Sequence, residues 1–302
     1  MVRRFLFCRE QKHTRIKRIL QFIILYCVGE GILSDTMLFQ QQAGQSRPSH
    51  SFTDDVWQGL EKEWKITPTA PPYPLETHGR LAHLLAEKLG DTSTPFSVLF
   101  FLFKSILQQN PSLLTSAAQD LHTYAKRGGA DQQYITPFLY SKGFQATQGY
   151  RLAHILWKNN QPFSARHLQS RIAEVMGIDV HPAATIGDRL ILGPGSGIVI
   201  GETTLIENDV TLMSDVTLGG TGKHTGKRHP TLRQGTLVGP GAQILGPIEV
   251  GEGAKIGAGA VVVKSVSPFT AVAGNPARYV NSHSSWPVLT MDLTFPSIDY
   301  FI

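Results

Sequence analysis

Residues 232–262 read LRQGTLVGPGAQILGPIEVGEGAKIGAGAVV. A branched aliphatic residue leads every sixth position, at Leu232, Val238, Ile244, Val250, Ile256 and Val262. Four positions after each leader stand Thr236, Ala242, Ile248, Ala254, Ala260 and Val266, all small or apolar. Working outward, an earlier block repeats the pattern with Ile200, Ile206, Leu212 and Leu218, and a first partial block starts at Val180 and Ile186. Six residues make one flat face of a triangular coil: the leader points inward onto its copies above and below, a small residue fills the corner, and glycine, Asn or Asp supplies the turn. An amphipathic helix would need spacings of three and four, and collagen needs glycine at every third residue. The pattern predicts a left-handed parallel β-helix.

Two irregularities break the hexads. Between Leu218 and Leu232 one face is replaced by fourteen steps, so eight residues leave the coil within Gly219–Arg233, GGTGKHTGKRHPTLR. Between Ile186 and Ile200 two extra residues place a bend at Leu192–Gly197, LGPGSG. Excursions from a rigid scaffold are where function concentrates. The long loop carries Lys223, His224, Lys227, Arg228 and His229 among four glycines. Glycines let backbone amides approach an anion, and clustered cations favour phosphate or carboxylate, which points to a phosphate-bearing cofactor or an acidic substrate. On residue types alone a solvated basic loop is the competing reading. The repeat half contains neither HxxxH nor HExxH, so no metal is expected.

Before the repeats, from Ser51 to Met176, apolar residues recur at helical spacing. Thr77 is expected to cap a helix through Leu89, Asn110-Pro111 to open one over Ser112–Arg127, and further helices are expected near Ser141–Lys158 and Pro162–Met176. Phe96–Phe103, FSVLFFLF, is apolar all round and reads as plain core, with a subunit contact as the alternative. The chain of 302 residues, 41% hydrophobic and 17% charged, is long enough for cores in both halves. The expected class is therefore α+β: an all-α domain over 51–176, the β-helix over 177–280 with loop 219–233, and a flexible tail over 281–302.

The net charge of +5 belongs to the first eighteen residues, which hold seven basic residues against Glu10. The remainder is within one charge of neutral, which argues against nucleic acid as a partner. Both cysteines, Cys8 and Cys27, also lie in this arm, leaving the body without a disulfide framework or thiol nucleophile. Residues 1–50 form a basic arm with a ten-residue apolar run, Ile19–Val28, too short to span a bilayer comfortably. Either the arm is a presequence, over residues 1–36, and the destination is a mitochondrion or plastid, or translation starts at Met37. The expected location is otherwise the cytoplasm.

Several segments carry a resemblance. The helical half with YITPFLYSKGFQATQGYRLAHILW (134–157), then DVHPAATIG (179–187), GIVIGETTLIENDVTLMSDVTLGGTGK (197–223), KRHP (227–230), GAQILGPIEVGEGAKIGAGAVV (241–262) and AGNPAR (273–278), is similar to serine acetyltransferases of the hexapeptide-repeat superfamily. The hexads and AGNPAR mark the superfamily, and GGTGK followed by RHP behind that helical domain marks the family. The resemblance implies transfer of acetyl from acetyl-CoA to the hydroxyl of L-serine, giving O-acetylserine for cysteine biosynthesis. It also implies trimers paired into hexamers, with active sites between neighbouring solenoids. By position, Asp120, Arg228 and His229 would bind the amino acid, Asp179 would orient the catalytic base, and Glu202 would stand beside the site. Gly220, Thr221, Lys223, Pro240, Lys255 and Ala258 would line the coenzyme A cleft.

One departure bears on activity. Where the family carries an adjacent Asp-His before GIVIGE, as substrate ligand and general base, this chain has Gly193-Pro194. A proline side chain accepts no proton, and loss of a general base costs roughly 10²–10⁴ in rate. His229 is the expected substitute, with His224 second. Gly193 would also enlarge the acceptor pocket and admit another acceptor. The final SIDYFI resembles family tails whose terminal isoleucine enters O-acetylserine sulfhydrylase, so a binding and regulatory role through Ile302 stands as the alternative to catalysis.

Overall fold

The structure, a computed structural model, describes residues 52–64, 76–127, 133–193, 196–222 and 225–290. The arm, Pro194, Lys223, His224 and the final residues including Ile302 lie outside the described residues.

Helices α1 (Phe52–Trp64), α2 (Thr77–Leu89), α3 (Phe96–Gln109), α4 (Ser112–Arg127), α5 (Ile135–Tyr140), α6 (Lys142–Lys158) and α7 (Pro162–Met176) come first. In α1 the helical spacing buries Val56, Trp57, Leu60 and Trp64. Two boundaries differ in detail from expectation. Thr77 is the first residue of α2 rather than its cap, Glu76 standing outside with no side-chain capping bond. The Asn110 amide donates to the Ile106 carbonyl at 2.8 Å, closing α3 instead of opening α4. At α6 the Ser141 hydroxyl accepts the Phe144 N–H at 3.2 Å, an ordinary cap. Helix α3 is only half interior: Phe103 is fully buried while Phe101 is 68% exposed, so the plain-core reading of FSVLFFLF is corrected to a helix with one open apolar face.

After Gly177, in the left-handed conformation that ends α7, the chain enters a solenoid of three sheets. The first is ordered β1 (Ile178–Val180), β4 (Ile198–Ile200), β7 (Thr217–Gly219), β10 (Gln243–Leu245), β13 (Val261–Val262); the second β2 (Thr185–Ile186), β5 (Leu205–Ile206), β8 (Thr231–Leu232), β11 (Glu249–Val250); and the third β3 (Ile191–Leu192), β6 (Thr211–Leu212), β9 (Leu237–Val238), β12 (Lys255–Ile256), β14 (Thr270–Ala273), with β15 (Arg278–Ser282) antiparallel at its end. All contacts within the coils are parallel, and Ile200 stacks beside Leu218, Ile206 beside Leu232, Leu212 beside Val238. These leaders are 0–1% exposed, which is why a six-residue period was selected. Three corners join the faces. Corner 1 follows β1 (Ile178–Val180), β4 (Ile198–Ile200) and β7 (Thr217–Gly219); corner 2 follows the second sheet; corner 3 follows β3 (Ile191–Leu192), β6 (Thr211–Leu212), β9 (Leu237–Val238) and β12 (Lys255–Ile256). At corner 2 the same slot is left-handed in every coil, occupied by Arg189, Asp209, Gly235, Gly253 and Phe269.

The helices cover the open edge of the first coil. Tyr124 donates to the Leu192 carbonyl and accepts the Leu192 N–H, both at 2.9 Å. Tyr150 donates to the Ala184 carbonyl, Arg151 to that of Gly187 at 2.9 Å, and His154 Nδ1 to that of Pro182 at 2.7 Å. Four carbonyls and one N–H that the first coil would otherwise leave unpaired are thereby satisfied. At the other end, residues 281–290 are not a loose tail. They complete β15 and form the short helix α8 (Pro287–Thr290), and Trp286 packs edge-on against Phe269 and over Gly235, where a Cβ would lie 2.1 Å from its ring.

Candidate active site at corner 1

Consecutive coils stack His181, then Gly201-Glu202-Thr203, then the base of the extruded loop with Arg228 and His229, down one edge of the solenoid. Arg228 donates a short hydrogen bond from Nη2 to Glu202, and this contact holds the Glu202 carboxyl below the usual carboxylate range. Beneath them Thr203 gathers the loop. Its hydroxyl accepts the N–H of Arg228 at 3.0 Å and of His229 at 3.1 Å, and lies 2.9 Å from His229 Nδ1. Its own N–H donates to the same Nδ1 at 3.2 Å, and its carbonyl accepts Lys227 Nζ at 2.6 Å. Burial, reinforced by the Arg228 charge, depresses the His229 pKa, so the ring is neutral at pH 7. The Cδ2–Nε2 side of the ring lies over Gly201, where a Cβ would sit 2.0 Å from Cδ2 and 2.2 Å from Nε2.

A backbone N–H can only donate, so Nδ1 is the unprotonated nitrogen and a neutral His229 carries its proton on Nε2. The expectation that His229 takes over as proton acceptor is corrected accordingly: the ring offers a donor. His181 is arranged alike, its Nδ1 accepting the Ala183 N–H at 3.1 Å, and it packs edge-on against Trp157, over which Arg166 stacks at 5.4 Å.

Asp179 stands on β1 next to this column, but its Oδ1 accepts from the Gln169 amide at 2.7 Å rather than from an imidazole. Asp120 is elsewhere. It is 0% exposed, in the interior, accepting from Gln148 at 2.9 Å, Arg151 at 2.8 Å and the Leu190 N–H at 3.2 Å. Its expected part in substrate binding is replaced by a structural one, because a carboxylate removed from water persists only where it is paired and hydrogen-bonded.

The expected coenzyme residues divide between two corners. Gly220 and Thr221 are exposed at corner 1, Pro240 and Ala258 are exposed at corner 3, and Lys255 at the start of β12 is only 8% exposed within its own chain. Corner 3 also carries Gly193, whose N–H donates to the Leu212 carbonyl at 2.5 Å. A Cβ there would lie 2.9 Å from the Met213 backbone, so the neighbouring coil fills the direction a side chain would take and Gly193 does not widen a pocket by losing one. Beside it a cavity of about 500 Å³ is bordered by Tyr124, Arg127, Tyr140, Lys142 and Met213. Among the described residues no group of His, Cys, Asp and Glu is arranged to hold a metal ion.

Comparison with known proteins accounts for this layout. Residues 76–149 match the family described as serine acetyltransferase, N-terminal, and residues 229–264 match the bacterial transferase hexapeptide repeat. The serine acetyltransferase of Haemophilus influenzae is 41% identical over 259 residues, 82% of this chain and 97% of that protein. The chain belongs to the serine acetyltransferase family. Among solved structures, a serine acetyltransferase in complex with cysteine superposes with a TM-score of 0.76 at 40% identity, covering 80% of this chain and 99% of the other. One in complex with CoA gives 0.71 at 41% identity, covering 76% and 100%.

Thr203 and Gly201, which organise the corner, were missed in the sequence. Gly201 follows the leader Ile200 as Gly239 follows Val238, so its place in the hexad was a usable signal. Nothing in the hexads set Thr203 apart from Thr204, whose hydroxyl is buried inside the coil.

Proposed function

We propose that the chain transfers the acetyl group of acetyl-CoA to the hydroxyl of L-serine, giving O-acetylserine for cysteine biosynthesis. The observation that carries this reading is the grouping of Arg228, Glu202 and His229 at the root of the extruded loop, in a chain that shares about 40% of its residues with serine acetyltransferases along most of its length. An α-amino acid presents one carboxylate and one ammonium group. The guanidinium of Arg228 suits the first and the carboxylate of Glu202 the second. Cysteine carries the same two groups and would compete at the same place.

The serine hydroxyl attacks the thioester carbonyl, its oxygen–carbon bond forms as the carbon–sulfur bond breaks, and coenzyme A leaves as the thiol. The attacking hydroxyl must shed a proton. The family's base position is Pro194, and His181 and His229 both present N–H at Nε2, so neither of these two rings takes the proton. Rate enhancement then rests on orientation of the two substrates and on hydrogen-bond donation to the oxygen that gains charge.

The division of the coenzyme residues between corners supports a site shared by two copies, corner 1 of one facing corner 3 of the next. Gly220 and Thr221 would flank coenzyme A from one side, Pro240 and Ala258 from the other. A ring of three copies places every corner 1 against a corner 3.

Purified protein given acetyl-CoA and L-serine, with coenzyme A release read by a thiol reagent, tests the reading. Turnover above that of the Arg228→Ala variant is expected. Equal rates for the two would remove it.

A further inference from the structure

We infer that Thr203 is a positioning residue that holds His229 as a hydrogen-bond donor, proton on Nε2, toward an anionic oxygen of the bound substrates. Its kinetic consequence rests on the acetyl-transfer reading; its structural content does not. A threonine hydroxyl has one proton and two lone pairs. Here the N–H groups of Arg228 and His229 occupy the acceptor side, at 3.0 and 3.1 Å, which leaves the hydroxyl proton to be donated. The acceptor in reach is His229 Nδ1 at 2.9 Å, and the Thr203 N–H reaches the same atom at 3.2 Å. Two donors converge on one ring nitrogen. A proton placed on that nitrogen would face both, so the other nitrogen must carry it.

The same residue aligns the loop. Eight residues are extruded before the chain returns to register at Leu232 beside Ile206, and the returning segment is caught by Thr203 on the preceding coil: its carbonyl takes Lys227, its hydroxyl takes the Arg228 and His229 amides. Four hydrogen bonds from one side chain and its own peptide groups thus fix the backbone, the ring plane and the tautomer of the same dipeptide. The ring's free edge, carrying Nε2, lies over Gly201 and near Gly220, where a Cβ would stand 3.6 Å from Nε2. That edge borders the open side of the corner, where Gly220 is exposed. A neutral N–H there stabilises a carboxylate or the oxyanion formed at the thioester carbon, and it remains available only while Nδ1 is supplied with donors.

The test uses the full chain with ¹⁵N-labelled histidine. Long-range proton–nitrogen correlations of the imidazoles, with His229 assigned by its loss in His229→Gln, report which nitrogen bears the proton. The wild type is expected to show the proton on Nε2 and Thr203→Ser to keep that pattern, while Thr203→Val, which keeps the backbone N–H but loses the hydroxyl that catches the ring and the Arg228 and His229 amides, is expected to show a second population with the proton on Nδ1. In the acetyl-transfer assay Thr203→Val is expected to lower kcat/KM for serine by about 10²-fold, the cost of a misplaced site group, with KM for acetyl-CoA unchanged, and Thr203→Ser to recover most of it. A wild-type spectrum with the proton on Nδ1 overturns the inference, as does a Thr203→Val protein with unaltered spectrum and kinetics. If Thr203→Val does not fold, the wild-type and Thr203→Ser spectra still decide it. If the wild type transfers no acetyl to serine, the functional reading fails and the spectra judge Thr203 independently.

Discussion

Gly201 has no room for a side chain because the imidazole of His229 occupies the space a Cβ would take. Nothing else in the coil requires glycine there, since its backbone is not among the left-handed positions. Gly201→Ala is therefore expected to fold, to displace the ring from Thr203, and to reduce kcat/KM for serine by about 10²-fold while leaving the melting temperature within a few degrees. Circular dichroism and the thiol-release assay separate the two effects. Asp120 gives the opposite outcome. Its carboxylate is buried against Arg151, so Asp120→Ala strips that interior guanidinium of its buried counter-ion, leaving only the partly exposed Asp188 at 3.5 Å, and is expected to cost about 3 kcal/mol, read from chemical denaturation, before any effect on substrate binding. The two residues also mark what single positions reveal before folding. The site residues Arg228, His229 and Glu202 lie in contiguous motifs, and the chain brings them together on adjacent coils. Asp120 acquires its partners from residues 31 and 70 positions away, so its interior role was not readable from the segment around it.

Among the elements, the first coil has no preceding coil to pair with, and helices α4 and α6 supply what a further coil would have supplied. Gly143 permits this approach, since a Cβ there would lie 2.2 Å from the Leu192 carbonyl oxygen. Tyr124 makes both of its bonds to Leu192, which precedes Gly193 and the cavity at corner 3. Tyr124→Phe is expected to orphan a buried N–H and a buried carbonyl and to destabilise the protein by about 1–3 kcal/mol. Hydrogen exchange would show the Leu192 amide losing protection ahead of Ile198 and Ile200 in β4. The solenoid itself was readable because each strand's inward residue recurs at fixed spacing in the chain, so local order repeats global order. The docking of α4 and α6 was not, because it depends on single hydroxyl and guanidinium contacts that leave no period. The open face of α3 illustrates the same limit: continuous apolarity gave no sign of which side, Phe103 or Phe101, would be covered.

For the molecule as a whole, one buried and three half-buried histidines make stability fall on the acid side. Burial depresses the pKa of His154, His167, His181 and His229 below the value near 6.5 that they have when unfolded. The folded state thus favours neutral rings, a contribution fully present above about pH 6.5 and lost as the pH falls through the depressed folded values. Melting temperatures are expected to be flat from pH 8 to 7 and to fall below pH 6.5, with His154→Gln reducing the slope. Activity should fall on the same acid side, because a protonated His229 can no longer accept from Thr203.

The residues expected to line the coenzyme cleft lie at two separate corners, which makes assembly testable. Gly220, Thr221 and His229 belong to corner 1, and Pro240 and Ala258 to corner 3. If each site is built from two copies, a His229→Ala chain lacks a working corner 1 but retains corner 3, and an Ala258→Trp chain has a blocked corner 3 but retains corner 1. Each variant alone should be nearly inactive. Unfolded together in equal amounts and refolded into mixed rings, an intact corner 1 meets an intact corner 3 at about one interface in four, so about a quarter of the wild-type activity should return. Mixing the already assembled variants without unfolding should return none. A site confined to one chain would give no recovery in either case, since every chain would carry a defect in its own site, and the shared-site reading would then have to be abandoned.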